Sequence, residues 1–357
     1  MTDLAFFPMV ETLEFTSFKE KKQRLLITSD GFEERSLYFL SKNIDNSFDK
    51  IIVCIYDNRE KTKLNELLAI IENRYSKKII TKLRYNRFEP FLFEIEMQEY
   101  LSTNLTTFEE IVLDISVMSK YMIMQIMSLL KEYTGDVRIV YTEPTYYAPT
   151  KEDCEKSIDE QKNAILLPSA GVQNIVRTPL LTSLIMQQSP SLLVSFLSFN
   201  EQLIRALLFE CTPSRVLLVN GVPPHPYSAW RENAMNDIHK HIIKEYSHDN
   251  KIDDGELLIK KTSTLYYAET FKLLADIYNE FNKDYRIIVS PTGSKMQALG
   301  ASLIKNCCDD IHIEYPTPES YYVEGYSSAK IKGIHQVMFI DFCNFIKEIS
   351  TMYELNG

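Results

Sequence analysis

Two short loops of the sequence combine hydroxyl side chains with a lysine at the start of a predicted helix. The first reads DISVMSK and runs from Asp114 to Lys120, and the second reads SPTGSK and runs from Ser290 to Lys295. A helix N-terminus presents unpaired N–H groups and the positive end of its dipole, to which a nearby hydroxyl and an ammonium add further donors. These residue types predict a site for an anion such as a phosphate.

A purely structural interpretation of either loop is also available. Serine and threonine are preferred helix caps in any protein, and a lysine in a first helical turn is often only solvated. Taken alone, each loop is more typical of a structural cap than of an anion site. The same construction at two matching places in the chain favours the functional interpretation, and Gly293 would let a ligand approach the backbone closely.

The elements that carry these loops recur along the chain in five blocks, in the same order. The matching blocks are 25–40 with 192–207, 50–60 with 214–224, 109–130 with 285–304, 136–147 with 310–322, and 171–177 with 333–339. Short apolar runs alternate with amphipathic helical patterns, which is typical of βαβ units and of a parallel sheet covered on both faces. We predict an α/β fold of two tandem Rossmann-like lobes with mainly parallel sheets, residues 1–182 and residues 183–357, related by internal duplication.

In such a fold, ligands bind at the carboxyl ends of the strands. The loop after the first strand of each lobe and the segment around Glu143 are predicted to lie at this edge with the two lysine loops. The candidate ligand-binding residues are Ser29, Asp30, Gly31, Asp114, Ser116, Lys120, Glu143, Ser195, Ser290, Thr292, Gly293, Ser294 and Lys295.

Asp114-x-Ser116-x-x-x-Lys120 resembles the [DN]-x-[ST]-x-x-x-[RK] motif of the CARF family, the CRISPR-associated Rossmann-fold sensor domains. The loop from Ser290 to Lys295 resembles a shorter variant, with Ser290 where the acidic residue would stand. The resemblance implies domains that act as a pair and bind a cyclic oligoadenylate at their two-fold interface. A fused pair is similar to the tandem-CARF effectors and the SAVED sensors. The specific residues of the resemblance are confined to one loop per lobe.

Three functions are consistent with these residues. The first is a sensor in prokaryotic antiviral defence that binds a cyclic oligonucleotide in a cleft between the lobes, with the output supplied by a partner protein. The second is a ring nuclease, in which Lys120 and Lys295 would be the catalytic candidates. The third is a scaffold subunit that has lost ligand binding, which the contrast between Asp114 and Ser290 favours. We favour the sensor, and whether the protein is an enzyme stays open.

Composition limits the other classes of function. A net charge of −10 argues against a broad footprint on duplex nucleic acid. The six cysteines and six histidines have no spacing typical of a metal site, and no cofactor motif is present, so we expect neither metal nor cofactor. The N-terminus lacks a basic region of the signal-peptide kind, and no apolar run is long enough to span a membrane. We therefore expect a cytoplasmic protein.

Overall fold

The computed structural model describes residues 4–42, 47–57, 62–75, 79–159, 168–248 and 259–355. The strands in these ranges are β1 (Glu11–Thr12), β2 (Arg24–Ser29), β3 (Lys50–Tyr56), β4 (Ile80–Tyr85), β5 (Glu110–Asp114), β6 (Asp136–Pro144), β7 (Ser169–Ala170), β8 (Asn174–Val176), β9 (Ser191–Phe196), β10 (Arg215–Val222), β11 (Ile259–Ser263), β12 (Arg286–Ser290), β13 (His312–Ile313), β14 (Tyr315–Thr317), β15 (Ser320–Tyr321) and β16 (Ile331–Phe339). The helices are α1 (Arg35–Ser41), α2 (Leu64–Arg74), α3 (Phe91–Asn104), α4 (Lys120–Leu129), α5 (Lys151–Asp159), α6 (Glu201–Cys211), α7 (Trp230–His248), α8 (Tyr267–Phe281), α9 (Lys295–Cys307) and α10 (Phe342–Met352).

The chain folds as two compact units. The amino-terminal unit comprises Ala5–Tyr147 and Gly325–Glu348, and the carboxyl-terminal unit comprises Met1–Leu4, Ala148–Glu324 and Ile349–Gly357. Both are α/β, as the alternation of apolar runs and helical patterns predicts.

The amino-terminal unit contains a seven-stranded sheet in the order β1-β16-β6-β5-β2-β3-β4. Strands β2 to β6 are mutually parallel, β16 pairs antiparallel with β6, and β1 pairs antiparallel with β16. Every residue of β2 and β5 is buried, as is typical of central strands of a parallel sheet that is covered on both faces. The near-continuous apolar sequences of these strands reflect this two-sided burial.

The carboxyl-terminal unit contains a five-stranded parallel sheet in the order β11-β10-β9-β12-β13. Counted along the chain, this is the third, second, first, fourth and fifth strand, which is also the order of β4-β3-β2-β5-β6. Two short antiparallel pairs, β8 with β14 and β7 with β15, complete the unit.

The last strand of each predicted lobe lies in the other unit. The units therefore do not divide at the predicted boundary, residue 182. Strand β16 pairs with β6 over a long antiparallel ladder, so residues 325–348 belong to the amino-terminal unit. Strand β8 pairs with β14, so residues 148–182 belong to the carboxyl-terminal unit. Apolar periodicity predicts that a strand forms, but the ladder that it joins depends on tertiary pairing.

The methionine-rich helix α4 is part of the core. Met122, Met124 and Met127 of this helix and Met118 just before it are fully buried, as expected for side chains that fill irregular gaps. In the described ranges, no helix combines the length and apolar character that a membrane crossing requires.

Candidate functional site

The carboxyl edge of the amino-terminal sheet is organised around Asp114, the last residue of β5. Its Oδ1 accepts hydrogen bonds from the Ser116 N–H at 3.1 Å and from the Ser116 hydroxyl, and Thr28 Oγ1 lies 3.5 Å from its Oδ2. Ser116 Oγ in turn accepts from the Thr142 N–H at 2.9 Å. The Asp114–Ser116 turn is therefore tied to β2 and β6, and its geometry is fixed before any ligand arrives.

Burial changes the acidity of Asp114. Its side chain is almost fully buried, and desolvation raises the pKa to about 6, although the Ser116 hydrogen bonds and the charge of Arg35 act in the opposite direction. The carboxyl group is therefore ionised at neutral pH but at a cost in folding free energy.

We expect Asp114→Asn to stabilise the protein at neutral pH. An amide oxygen can still accept from Ser116, while the cost of burying a charge disappears. When the pKa of an acid is higher in the folded state than in the unfolded state, stability falls as the pH rises from the unfolded-state pKa toward the folded-state pKa. The wild-type protein should therefore lose stability between about pH 4 and pH 6 relative to the variant. The full difference should approach ~3 kcal/mol above pH 6, since one pKa unit corresponds to about 1.4 kcal/mol. Urea denaturation of both proteins at pH 4.5 and pH 7.5 measures it, and equal differences at the two pH values would contradict it.

Lys120 is a cation at this edge. It is the first residue of α4, directly after the helix cap Ser119, whose Oγ accepts from the Met122 N–H at 3.1 Å. The cap is itself held by two tyrosines, since the Ser119 N–H donates to the Tyr56 hydroxyl and Ser119 Oγ lies 3.2 Å from the Tyr85 hydroxyl. The position of the lysine backbone is therefore set by β3 and β4.

The ammonium of Lys120 pairs with no carboxylate among the described residues. The side chain is partly exposed, and desolvation lowers its pKa to about 8. An oxyanion bound here would reverse this effect, because an opposite charge favours the protonated amine. A positively charged group without an internal partner, at a helix N-terminus and at the carboxyl edge of a parallel sheet, is a suitable binding group for a phosphate.

The loop after β2 contacts the Asp114–Lys120 loop directly. A Cβ added to Gly31 would lie 2.9 Å from Val117 Cβ, so the glycine allows the two loops to pack together. Asp30 is buried and its Oδ1 accepts from the Tyr56 N–H at 2.9 Å. Ser29 is also buried, and its hydroxyl has no hydrogen-bond partner within the described ranges. The loops after β2 and β5 therefore meet at one edge, where Asp30 and Gly31 hold them in place.

Arg35 is a buried residue of this edge that is not among the predicted ligand-binding residues. Its Nε and Nη2 donate to the two carboxylate oxygens of Glu33, each at 2.9 Å, and its Nη1 donates to Tyr147 Oη at 3.1 Å. The hydroxyls of Tyr141 and Tyr147 are hydrogen-bonded to each other, and Ser327 Oγ donates to Glu33 Oε2 at 2.6 Å. The only signal in the sequence is a pair of opposite charges at the start of a helix, which is common on exposed helices.

Glu143 lies in β6 and is engaged by β16. His335 Nε2 is 2.8 Å from Glu143 Oε2, and the Lys332 ammonium is 3.8 Å from Oε1. These contacts link the two segments of the amino-terminal unit, which gives Glu143 a structural role in addition to the predicted ligand contact.

The matching edge of the carboxyl-terminal unit has a different chemistry. Ser195 and Ser290 are register partners on β9 and β12, both are fully buried, and neither hydroxyl has a hydrogen-bond partner among the residues that the structure describes. They stand where Thr28 and Asp114 stand in the other sheet. The Thr292 hydroxyl donates to the Phe196 carbonyl. The carboxylate at the centre of the first site is therefore replaced by a pair of neutral hydroxyls.

The loop before α9 is closed by its own side chains. Ser294 and Gln297 form a reciprocal capping box, with the Gln297 N–H 3.0 Å from Ser294 Oγ and the Ser294 N–H 2.7 Å from Gln297 Oε1. A Cβ on Gly293 would collide with Gln297 Oε1, so the close approach that glycine permits is used by this side chain. Lys295 follows as the first residue of α9 and is partly exposed.

The described residues contain no group of three or more histidine, cysteine, aspartate or glutamate side chains placed to hold a metal ion. His239 is buried with Nε2 2.8 Å from the Ser198 carbonyl oxygen, while His241 is exposed. The His-x-His pair thus has one side chain in the core and one in solvent, as its helical spacing predicts.

No protein-family model matches the chain, and no curated protein matches it. Among solved structures, it is similar to a type III CRISPR defence DNA nuclease activated by cyclic oligoadenylate, with 10% identity, a TM-score of 0.48 and coverage of 82% of this chain and 65% of the nuclease. For Can2 from Sulfobacillus thermosulfidooxidans in complex with cyclic tetra-adenylate, the identity is 19%, the TM-score 0.25 and the coverage 39% of this chain and 36% of Can2. For Anabaena Alr3699/HepE in complex with UDP and glucose, the identity is 11%, the TM-score 0.19 and the coverage 94% of this chain and 93% of that protein. TM-scores below 0.5 establish no common fold, and the chain spans less than two thirds of the first two proteins.

Proposed function

We propose that the protein is a sensor that binds a cyclic oligonucleotide second messenger, and that Lys120 binds one of its phosphates. The observation that supports this most strongly is an ammonium with a pKa of about 8 and no carboxylate partner among the described residues, at the N-terminus of α4. The Asp114–Ser116 turn that precedes it fits the CARF motif. The proposal places the protein in the cytoplasm, in antiviral defence, and requires a partner protein for the output.

The charge of the chain is compatible with this class of ligand. A net charge of −10 disfavours a long polyanion that needs a basic face, whereas a small ring needs only a few donors at each phosphate. The equal strand order of the two sheets further supports an internal duplication, with a second, altered ligand edge at Ser290–Lys295.

A thermal-shift series with cyclic oligoadenylates of different ring size tests the proposal. A ligand that binds only the folded state raises the melting temperature, by the equivalent of about 2.7 kcal/mol at 100 times its Kd. We expect a saturable rise with one ring size in the wild-type protein and none in a Lys120→Ala/Lys295→Ala variant. The single variants show which edge carries the affinity. The absence of a shift with every cyclic oligonucleotide in the series would favour the scaffold over the sensor.

Cleavage of the ring is the second candidate function. The pKa of about 8 supports it, because an amine that titrates near neutral pH can both stabilise charge and exchange a proton. Incubation with a radiolabelled ring distinguishes the two functions: a sensor leaves the ring intact, and a ring nuclease yields linear products that disappear in Lys120→Ala.

A further inference from the structure

The carboxyl-terminal unit contains a cavity at the amino ends of its strands, on the edge of the sheet opposite to the Ser290–Lys295 loop. Its volume is about 470 Å³, within the range of about 300–1,000 Å³ that is typical of sites for small ligands. It is lined by Arg177, Thr182, Gln187, Ser189, Pro190, Ser191, Glu210, Cys211, Thr212, Ser214, Arg286, Ile288, His312 and Glu314.

Most charges around the cavity neutralise one another. Arg177 Nε lies 2.7 and 2.8 Å from the two oxygens of Glu314, and its Nη2 donates to Glu210 at 3.1 Å. His312 Nδ1 accepts from the Ser183 N–H at 3.1 Å, so its proton is on Nε2, which donates to Glu314 at 2.7 Å. Burial alone would raise the pKa of Glu314, but the hydrogen bonds from His312 and Arg177 outweigh it and lower the pKa. With His312 neutral, Arg177, Glu210 and Glu314 together carry one net negative charge.

Arg286, the first residue of β12, also lines the cavity, and its guanidinium is not part of this hydrogen-bonded set. It is partly buried, its Nη2 donates to the Ser183 carbonyl oxygen at 3.0 Å, and its buried Nε has no hydrogen-bond partner in the part of the chain that the structure describes. No carboxylate of the described residues forms an ion pair with it. A guanidinium that lines a cavity under these conditions has donor capacity for an oxyanion.

The same edge of the amino-terminal sheet is filled by its own chain. There, β5 begins at Glu110, whose carboxylate is 2.7 Å from Arg24 Nε and 2.6 Å from Arg138 Nε. Arg24 Nη1 also donates to the Glu20 carbonyl oxygen at 2.9 Å. Arg286 occupies the place of Glu110 in the other sheet, so the carboxylate that closes the first edge is replaced by a guanidinium beside a cavity.

We propose that this cavity binds a small oxyanion, a carboxylate or a phosphate monoester, through Arg286. The ligand supplies the acceptor that the chain provides at Glu110 in the other unit, and the hydroxyls of Ser189 and Thr182 line the remainder of the cavity. The inference is independent of the proposed sensor function, because it involves the opposite edge of the sheet and no residue of the phosphate loops.

Calorimetric titration at constant ionic strength and pH 7.5 tests this site, with inorganic phosphate and glycerol phosphate as one arm and succinate and citrate as the other. We expect saturable binding in one arm, which identifies the source of the oxyanion. Arg286→Gln should weaken it at least tenfold, since hydrogen bonds to charged groups contribute about 1.5–3 kcal/mol. Arg215→Gln is the matched control, because Arg215 lies against the Phe281 ring and does not line the cavity.

Ser214→Trp provides a second variant that leaves Arg286 in place. Ser214 is exposed and lines the cavity, so an indole ring there should block the ligand without altering the core. Loss of binding in both variants, with retention in Arg215→Gln, supports the site. Absence of saturable binding in both arms, or binding that persists unchanged in Arg286→Gln, overturns it.

Discussion

Replacement of Lys120 by alanine should weaken the binding of a cyclic oligonucleotide by about 10- to 100-fold, because a hydrogen bond to a charged group contributes about 1.5–3 kcal/mol. The ammonium pairs with no carboxylate among the described residues, so its removal leaves no buried acid uncompensated. The folded structure should therefore be retained while affinity is lost. Fluorescence anisotropy with a labelled ring measures the change.

Lys82→Ala is the matched control for this prediction. Lys82 is an exposed residue of β4 in the same unit, and its removal changes the net charge by the same amount. Equal loss of affinity in the two variants would show that only general electrostatic attraction is involved. An unchanged affinity in Lys120→Ala would remove this lysine from the site.

The second large effect concerns stability. Arg35→Met should destabilise the amino-terminal unit by about 3–5 kcal/mol, because it leaves Glu33 buried without its partner. The side chains of Arg35 and Glu33 are only 2% and 7% exposed, so water cannot replace the lost contacts. Tyr147 also loses the guanidinium donor to its hydroxyl. Urea denaturation measures the loss of stability, and hydrogen exchange of the β2 amides shows whether the loss lies in this unit.

The double variant Glu33→Gln/Arg35→Met separates the ion pair from simple packing. Removal of both charges should recover a large part of the stability lost in Arg35→Met, because the uncompensated carboxylate is the main cost. The matched control is Arg84→Met, which replaces an arginine whose side chain is 84% exposed. This substitution should alter the free energy of unfolding by less than about 0.5 kcal/mol. If the double variant is as unstable as Arg35→Met, packing around the side chain dominates.

The core strands and the convergence of the amino-terminal loops could be predicted from the sequence. Uninterrupted apolar runs such as IIVCIY identify strands buried on both faces, and parallel strands bring the residues after β2 and β5 to one edge. The fully buried methionines of α4 likewise follow from its apolar sequence.

Other features depend on tertiary contacts that the sequence does not encode locally. The Ser290–Lys295 loop has the composition of an anion site, yet Gln297 turns back to close the helix N-terminus. Arg35 has the sequence of an exposed helix start, but β6 and Ser327 enclose it and Glu33. The pairing of β16 with β6 joins residues nearly 200 positions apart, and no local pattern predicts such a partner.

The dependence of ligand affinity on pH tests the central claim most directly. Lys120 binds an oxyanion in its protonated form and has a pKa of about 8 in the free protein. The affinity of the wild-type protein for the cyclic oligonucleotide should therefore be constant from pH 6.5 to about 7.5 and fall up to about tenfold per unit above pH 8. In Lys120→Arg, whose guanidinium stays charged, the profile should remain flat to pH 9.5. A flat profile in the wild-type protein, or an equal fall in both proteins, would contradict the assignment of Lys120 as the phosphate-binding cation.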